Sequence, residues 1–134
     1  MEDFAGVLPG IQKNVPLKEF TTYKLGGPAD YFFVAETTES AMKILKAAQE
    51  RNMPTLVIGG GSNLLVSDAG FRGLVVKIAI AGKPEITGNA ITVGAGVSMD
   101  EAWPHINASQ RIYVFHPRAW NPIAVHNLEL LIKP

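Results

Sequence analysis

The chain has 134 residues, of which 47% are hydrophobic, and its 12 lysine and arginine residues balance 12 aspartate and glutamate residues. This zero net charge argues against the broad basic surface that nucleic acids or anionic membranes require, and the absence of cysteine excludes disulfide frameworks and thiolate metal sites. The length indicates one domain or part of one, and the chain shows neither a signal-peptide pattern nor an apolar run of about 20 residues, so we expect a cytoplasmic protein.

The amino-terminal segment, residues 1–23, predicts a short helix followed by an extended stretch. The helix would lie within residues 2–13 and would be interrupted at Pro9-Gly10. Residues 14–23, which contain a further proline, favour an extended chain that approaches the rest of the domain.

A turn, a strand and a helix are predicted next. Residues 24–28 have the glycines and proline of a turn, and the β-branched and aromatic residues 29–34 predict a strand. Either Thr37 or Thr38 is suited to cap a helix over residues 39–51. Its apolar residues follow one stripe at helical spacing: Ala41, Met42, Leu45 and Ala48.

Short strands dominate the following part of the chain. Residues 55–58 predict a strand that leads into three glycines, and the apolar residues 64–66 predict another strand after that loop. Further strands are predicted at residues 74–80 and, as a hairpin, at residues 85–87 and 90–93. One helix among many closely spaced strands indicates an α+β fold rather than a doubly wound sheet.

A second helix should begin near residue 98. Ser98 and Glu101 have the S-x-x-E spacing of a capping box, and acidic residues favour the first turn, so we interpret Ser98, Asp100 and Glu101 as structural rather than catalytic. The nearby Gly94-Ala-Gly96 is not a dinucleotide fingerprint, because Met99 stands where the third glycine would be.

The composition changes near residue 102. All 13 glycines lie at or before Gly96, whereas all 3 histidines and both tryptophans lie between Trp103 and His126. Residues 103–134 therefore form an atypical tail, which is either a linker or small module, or a segment that is not native to the domain. No metal site is expected, because the histidines are not spaced as ligands on one helix: His105, His116 and His126.

The strongest local signal is the run Gly-Gly-Gly-Ser-Asn at residues 59–63. Three successive glycines forfeit backbone entropy, and their main-chain N–H groups can converge on an anion such as a diphosphate, with Ser62 and Asn63 as further donors. The alternative is a tight turn between two buried strands that needs glycine for its geometry alone. Lys24 and Arg72 could each meet a phosphate, but lone cations are usually solvated and we interpret both as surface residues.

Four segments together carry a resemblance to a known family: residues 14–31, 56–68, 73–76 and 93–96. They resemble the amino-terminal part of the UDP-N-acetylenolpyruvoylglucosamine reductases (UDP-N-acetylmuramate dehydrogenases). The resemblance implies a PCMH-type FAD-binding fold of the vanillyl-alcohol-oxidase superfamily, with FAD bound noncovalently. It also implies a cytoplasmic oxidoreductase of peptidoglycan synthesis, in which NADPH reduces the flavin and the flavin passes hydride to the enolpyruvyl group of a UDP-sugar.

The family resemblance also assigns cofactor-binding residues. Position by position, the residues that match the family's loop at the FAD diphosphate are Gly59, Gly60, Gly61, Ser62, Asn63 and Leu64. The pair Gly26-Gly27 matches the family pattern too, and we assign it a role in the fold rather than a ligand contact.

The resemblance covers residues 12–102 and departs after them. Residues 24–102 correspond to the first lobe and the start of the second lobe of an incomplete FAD-binding domain. Family members are longer and carry their catalytic residues in a substrate domain, so no catalytic residue is expected here and the chain would be a truncated form. Residues 103–134 contain no further glycine loop, which favours a non-native, poorly packed tail. The alternatives are a noncatalytic flavin- or nucleotide-binding module and an inactive fragment.

Overall fold

The computed structural model describes residues 4–82, 85–87, 90–102, 111–113 and 128–133. Within these residues, two four-stranded sheets form the fold, with strand orders β1-β2-β4-β3 and β5-β6-β8-β7. The elements in chain order are a 3-10 helix at Phe4–Gly6, β1 at Gln12–Pro16, a 3-10 helix at Leu17–Phe20, β2 at Pro28–Ala35, α1 at Thr38–Glu50, β3 at Thr55–Ile58, β4 at Phe71–Ile78, β5 at Glu85–Thr87, β6 at Ala90–Val93, α2 at Met99–Ala102, β7 at Arg111–Tyr113 and β8 at Leu128–Lys133. The architecture is therefore the predicted α+β class.

The first sheet is parallel at its centre. Strand β4 pairs in parallel with both β2 and β3, and β1 adds an antiparallel edge to β2. Helix α1 connects β2 to β3, which lie on opposite sides of β4, and so forms the crossover that parallel strands of one sheet require. In consequence β2, β3 and β4 all point their carboxyl ends to the same edge of the sheet, which is where ligands bind in sheets of this kind.

Both faces of this sheet are covered, which explains its continuous apolar runs. On one face α1 packs against Leu74, Val76 and Ile78 of β4. On the other face Val75 packs with Phe32 in a cluster that includes the amino-terminal segment. Because β4 alternates between two cores, its residues 74–76 are all fully buried, and each contributes about 1.5–3 kcal/mol of hydrophobic stabilisation.

Helix α1 starts where the sequence predicts. Thr37 is the N-cap, its Oγ1 accepts a hydrogen bond from the Ser40 amide at 3.1 Å, and the Ser40 side chain accepts one from the Thr37 amide in return. The prediction that Met42 belongs to the buried stripe of α1 was wrong, because Met42 is 53% exposed. Met42 is rotated by about 100° from Ala41, whereas positions three, four and seven residues after Ala41 return to its face. The buried residues are Ala41, Ile44, Leu45, Ala47 and Ala48.

The predicted amino-terminal helix was wrong, and the predicted extended stretch is confirmed only up to Pro16, because a 3-10 helix follows at Leu17–Phe20. The only helical residues found within 4–13 form the short 3-10 turn at Phe4–Gly6, and a strand begins at Gln12. Strand β1 pairs with β2 over Gln12↔Phe32 to Pro16↔Pro28. An edge strand with one buried residue, Val15, lacks the apolar alternation that reveals a strand in sequence.

The second sheet begins with the predicted hairpin. Strands β5 and β6 pair antiparallel from Glu85↔Thr92 to Thr87↔Ala90. Strand β6 also pairs with β8, and β8 pairs with β7, so two segments after residue 102 belong to this sheet. Residues 103–110 and 114–127, which include all three histidines, lie outside the described residues, and the non-native, poorly packed tail stays a prediction.

The predicted capping box before α2 is confirmed. The Ser98 amide and hydroxyl both donate to Glu101 Oε2, at 2.8 and 2.9 Å, and the Glu101 amide donates to Ser98 Oγ at 3.2 Å. These two hydrogen bonds from Ser98 hold the pKa of the Glu101 carboxyl below its usual value. Ser98 and Glu101 therefore have the structural roles that their spacing predicts.

Candidate diphosphate-binding loop

The glycine run lies at the carboxyl edge of the first sheet. It leaves β3 directly after Ile58 and continues as an irregular loop to residue 70, just before β4 begins at Phe71. The predicted strand over residues 64–66 was wrong. Leu64 and Val66 pack against the cluster around Val75, while Leu65 between them is 70% exposed, so this apolar run anchors a loop without pairing as a strand.

The three glycines differ in what surrounds them. Gly61 has φ 69°, and a side-chain carbon there would overlap the carbonyl oxygen of Phe20. The Thr22 amide donates to the Gly61 carbonyl at 3.1 Å and holds this contact in place. Gly61 is therefore required by the fold itself, as the tight-turn interpretation of the run expects.

Gly59 and Gly60 have no such requirement. Both are exposed, and a side-chain carbon added to either would meet no atom of the described residues within 4 Å. Neither has the positive φ that favours glycine. The packing of the described residues gives no reason for glycine at these two positions, whereas a ligand that approaches the main chain closely would favour it.

The structure brings all six predicted cofactor-binding residues into this one loop. Ser62 and Asn63 are exposed, and among the described residues neither side chain has a hydrogen-bond partner. Leu64 is half-buried and packs into the core below. The loop thus offers main-chain and side-chain donors to solvent on an apolar anchor, while contact with a ligand stays a prediction.

The turn at Gly26-Gly27 packs closely against the second half of the loop. A side-chain carbon at Gly26, which has φ 132°, would lie 2.7 Å from Val66 Cβ, and one at Gly27 would overlap the Asp68 carbonyl. The Gly27 amide donates to the Ser67 carbonyl at 2.9 Å. The fold role predicted for this glycine pair is therefore the one that the structure shows.

The two cations considered from sequence do not form a phosphate site together. Arg72 pairs with Asp30 at 2.9 Å and donates to the carbonyls of Pro28 and Ala69 at 3.2 and 3.1 Å. Lys24 is exposed in the turn before Gly26. Sequence reasoning missed Lys77, whose Nζ lies 5.2 Å from the centre of the Phe20 ring. The sequence signal that could have revealed Lys77 was a single charged residue inside an otherwise apolar predicted strand.

No group of three potential metal-ligating side chains occurs in the described part of the chain. Within the same residues, no helix has the length and apolar character that crossing a membrane demands. On the surface of α1, the pKa of the Glu39 carboxyl is lowered by its hydrogen bond and ion pair with Lys43. None of these features of the described residues forms a second candidate site, so the candidate site is the loop at residues 59–64.

A family model described as an FAD binding domain matches residues 29–128, about three quarters of the chain. This chain belongs to the FAD binding domain family. The fold is the PCMH-type FAD-binding fold that the resemblance implied. The match to the FAD binding domain begins in β2, contains the whole glycine loop, and ends at the first residue of β8.

Curated relatives of this FAD binding domain carry the name UDP-N-acetylenolpyruvoylglucosamine reductase, which confirms the resemblance. The protein of Desulforamulus reducens is 44% identical over 92 residues, which cover 68% of this chain and 30% of the relative. That of Lachnoclostridium phytofermentans is 48% identical over 64 residues, covering 48% and 21%. That of Bacillus velezensis is 44% identical over 91 residues, covering 66% and 30%. The chain thus spans less than a third of the length of these relatives.

Proposed function

We propose that this chain binds FAD noncovalently through residues 59–64 and is the FAD-binding part of a UDP-N-acetylenolpyruvoylglucosamine reductase. The observation that carries the proposal is the open pair Gly59 and Gly60 in a chain that belongs to the FAD binding domain family. In this function NADPH is the reductant, and the UDP-sugar product serves peptidoglycan synthesis in the cytoplasm.

The loop suits a diphosphate in shape and chemistry. Its exposed glycines admit a ligand to the main chain, and amide groups together with the Ser62 and Asn63 side chains supply donors for phosphate oxygens. The position at the carboxyl ends of parallel strands is the usual place for a nucleotide in such a sheet. When bound, FAD would supply hydride transfer, and the part of this chain is to bind and orient the cofactor.

The test is titration of the purified chain with FAD, followed by flavin fluorescence and thermal unfolding together. A ligand that binds only the folded state raises the unfolding temperature, so saturable quenching should accompany stabilisation. In the variant Gly60→Val we expect at least about tenfold weaker FAD binding, because the new side chain occupies the ligand's approach while the fold has open space for it.

A matched control is Gly6→Val. Gly6 is also exposed with nothing within 4 Å of an added carbon, but it belongs to the amino-terminal turn whose Phe4 packs on the α1 side of the sheet. FAD affinity should be unchanged in this variant. Equal affinity of Gly60→Val and the unchanged chain, with both folded, would contradict the loop assignment.

The reductase activity needs its own assay. NADPH oxidation that depends on UDP-N-acetylenolpyruvoylglucosamine, measured with the FAD-loaded chain, would support the whole proposal. Saturable FAD binding without NADPH oxidation would instead identify this chain as a flavin-binding module.

A further inference from the structure

Lys77 interrupts the apolar core strand next to the glycine loop. It is the seventh residue of β4, after three fully buried residues, and it is paired in register with Val34 of β2 and Ile58 of β3. Neighbouring strands lie about 4.8 Å apart. Because Gly59 follows Ile58 directly, the lysine backbone is adjacent to the point where the loop leaves the sheet.

The lysine side chain lies on the face opposite α1. Residues alternate along a strand, so Lys77 shares its face with Val75, which belongs to the cluster of Phe32 and Phe20. The Lys77 ammonium contacts the Phe20 ring, and that ring stacks on Phe32 with centroids 4.3 Å apart. The lysine stem is thus packed along an apolar surface.

The same Phe20 also borders the loop. Its carbonyl oxygen is the atom against which Gly61 packs, so one residue contacts both the Lys77 ammonium and the glycine run. The strand register places the Lys77 backbone beside the start of the loop, and the aromatic contact places its ammonium beside the residue against which Gly61 packs. Two independent features therefore bring this cation close to the glycine run.

Lys77 differs from the other cations near the loop. The charge of Arg72 is paired with Asp30 and its guanidinium donates to two carbonyls. Lys24 is exposed in a turn, and within the described residues no contact orients its ammonium. Among the described residues Lys77 contacts an aromatic ring rather than a carboxylate, so its charge is held in position without being neutralised. A positioned charge loses less freedom when it meets an anion.

We propose that the Lys77 ammonium binds a phosphate oxygen of the dinucleotide diphosphate held by residues 59–63. This inference rests on the proposed function, and it adds a charged contact to a loop whose other donors are neutral. The three N–H donors of lysine allow the ring contact and a phosphate contact at the same time.

The test compares FAD affinities of the unchanged chain, Lys77→Met, Lys77→Arg and Lys46→Met at about 0.1 M and 1 M NaCl, where the screening lengths are about 10 and 3 Å. Methionine keeps the apolar stem and removes the charge, and Lys46 is an exposed residue of α1 on the other side of the sheet. Thermal unfolding without FAD shows that each variant folds.

We expect Lys77→Met to bind FAD about five to ten times more weakly at 0.1 M salt, and the ratio to fall below about twofold at 1 M because salt screens a partly exposed charge. Lys77→Arg and Lys46→Met should retain the affinity of the unchanged chain. The proposal is overturned by equal affinity of Lys77→Met, by a loss that is the same at both salt concentrations, or by an equal loss in Lys46→Met.

If the proposed FAD binding itself is wrong, the result differs from the loss of the lysine contact alone. In that case the unchanged chain itself shows no saturable FAD binding at either salt concentration, which removes both proposals. Binding by the unchanged chain with no effect of Lys77→Met removes the lysine contact alone.

Discussion

Two glycine pairs lie on neighbouring segments of this molecule, and they serve opposite purposes. The pair Gly26-Gly27 is enclosed, because added side chains would collide with Val66, Asp68 and the backbone behind them. The pair Gly59-Gly60 is open, because added side chains would meet no described atom. Glycine in the first pair lets two segments of the chain pack closely together, whereas glycine in the second pair leaves the main chain open to a ligand.

This difference gives a physical criterion for a ligand loop. A glycine that costs backbone entropy of about 0.5–1 kcal/mol needs compensation, and in the enclosed pair the compensation is close packing and a hydrogen bond to Ser67. At Gly59 and Gly60 the described residues offer no equivalent. A ligand held by the loop, as we propose, would supply that compensation.

The largest expected effect is on the enclosed pair. Gly27→Ala would place a carbon against three backbone atoms, the Asp68 carbonyl carbon and oxygen and the Gly70 nitrogen. We expect a loss of about 3 kcal/mol in the free energy of unfolding, measured by urea denaturation, because backbone cannot move aside as a side chain can. A loss below about 0.5 kcal/mol would show that the backbone around Gly27 adjusts easily and that close packing does not require glycine there.

An intermediate effect is expected at Gly61→Ala. The substitution combines a left-handed backbone, which costs about 1–2 kcal/mol for a residue with a side chain, with overlap on the Phe20 carbonyl. We expect a loss of about 2–3 kcal/mol in the free energy of unfolding, so Gly61 should behave like the enclosed pair although it adjoins the open one. Stability equal to that of the unchanged chain would show that the loop shifts freely.

The smallest expected effect is on Gly60→Ala. With open space and no positive φ, alanine should leave the free energy of unfolding unchanged or raise it by about 0.4–1 kcal/mol, since alanine restricts the unfolded chain. Urea denaturation of the FAD-free chain measures this directly. A loss above about 1 kcal/mol would mean that the open pair also serves the fold.

Local signals in the sequence were sufficient for several elements. The strand at residues 55–58, the hairpin between β5 and β6, and the Ser98 cap all depend on neighbouring residues, and all three are confirmed. The glycine run was likewise recognised as a single loop. Each of these features has its sequence signal in a few neighbouring residues.

The features that were missed depend on distant partners. Strand β1 is defined by pairing with β2, and the run at residues 64–66 forms a loop because Leu64 and Val66 pack on a core made elsewhere. Gly61 differs from the two glycines before it because it packs against the carbonyl of Phe20, a residue distant in sequence. Lys77 gains its position only through strand register and the Phe20 ring.

The hydrogen bond from the Thr22 amide to the Gly61 carbonyl joins the loop to a segment far away in sequence. Opening the loop must therefore break this bond and release the Phe20 contact as well, so its fluctuations are cooperative with those of the amino-terminal segment. We therefore expect the loop and the residues before β2 to open together as one local unfolding unit, so that a ligand that orders the loop also raises hydrogen-exchange protection in the amino-terminal segment.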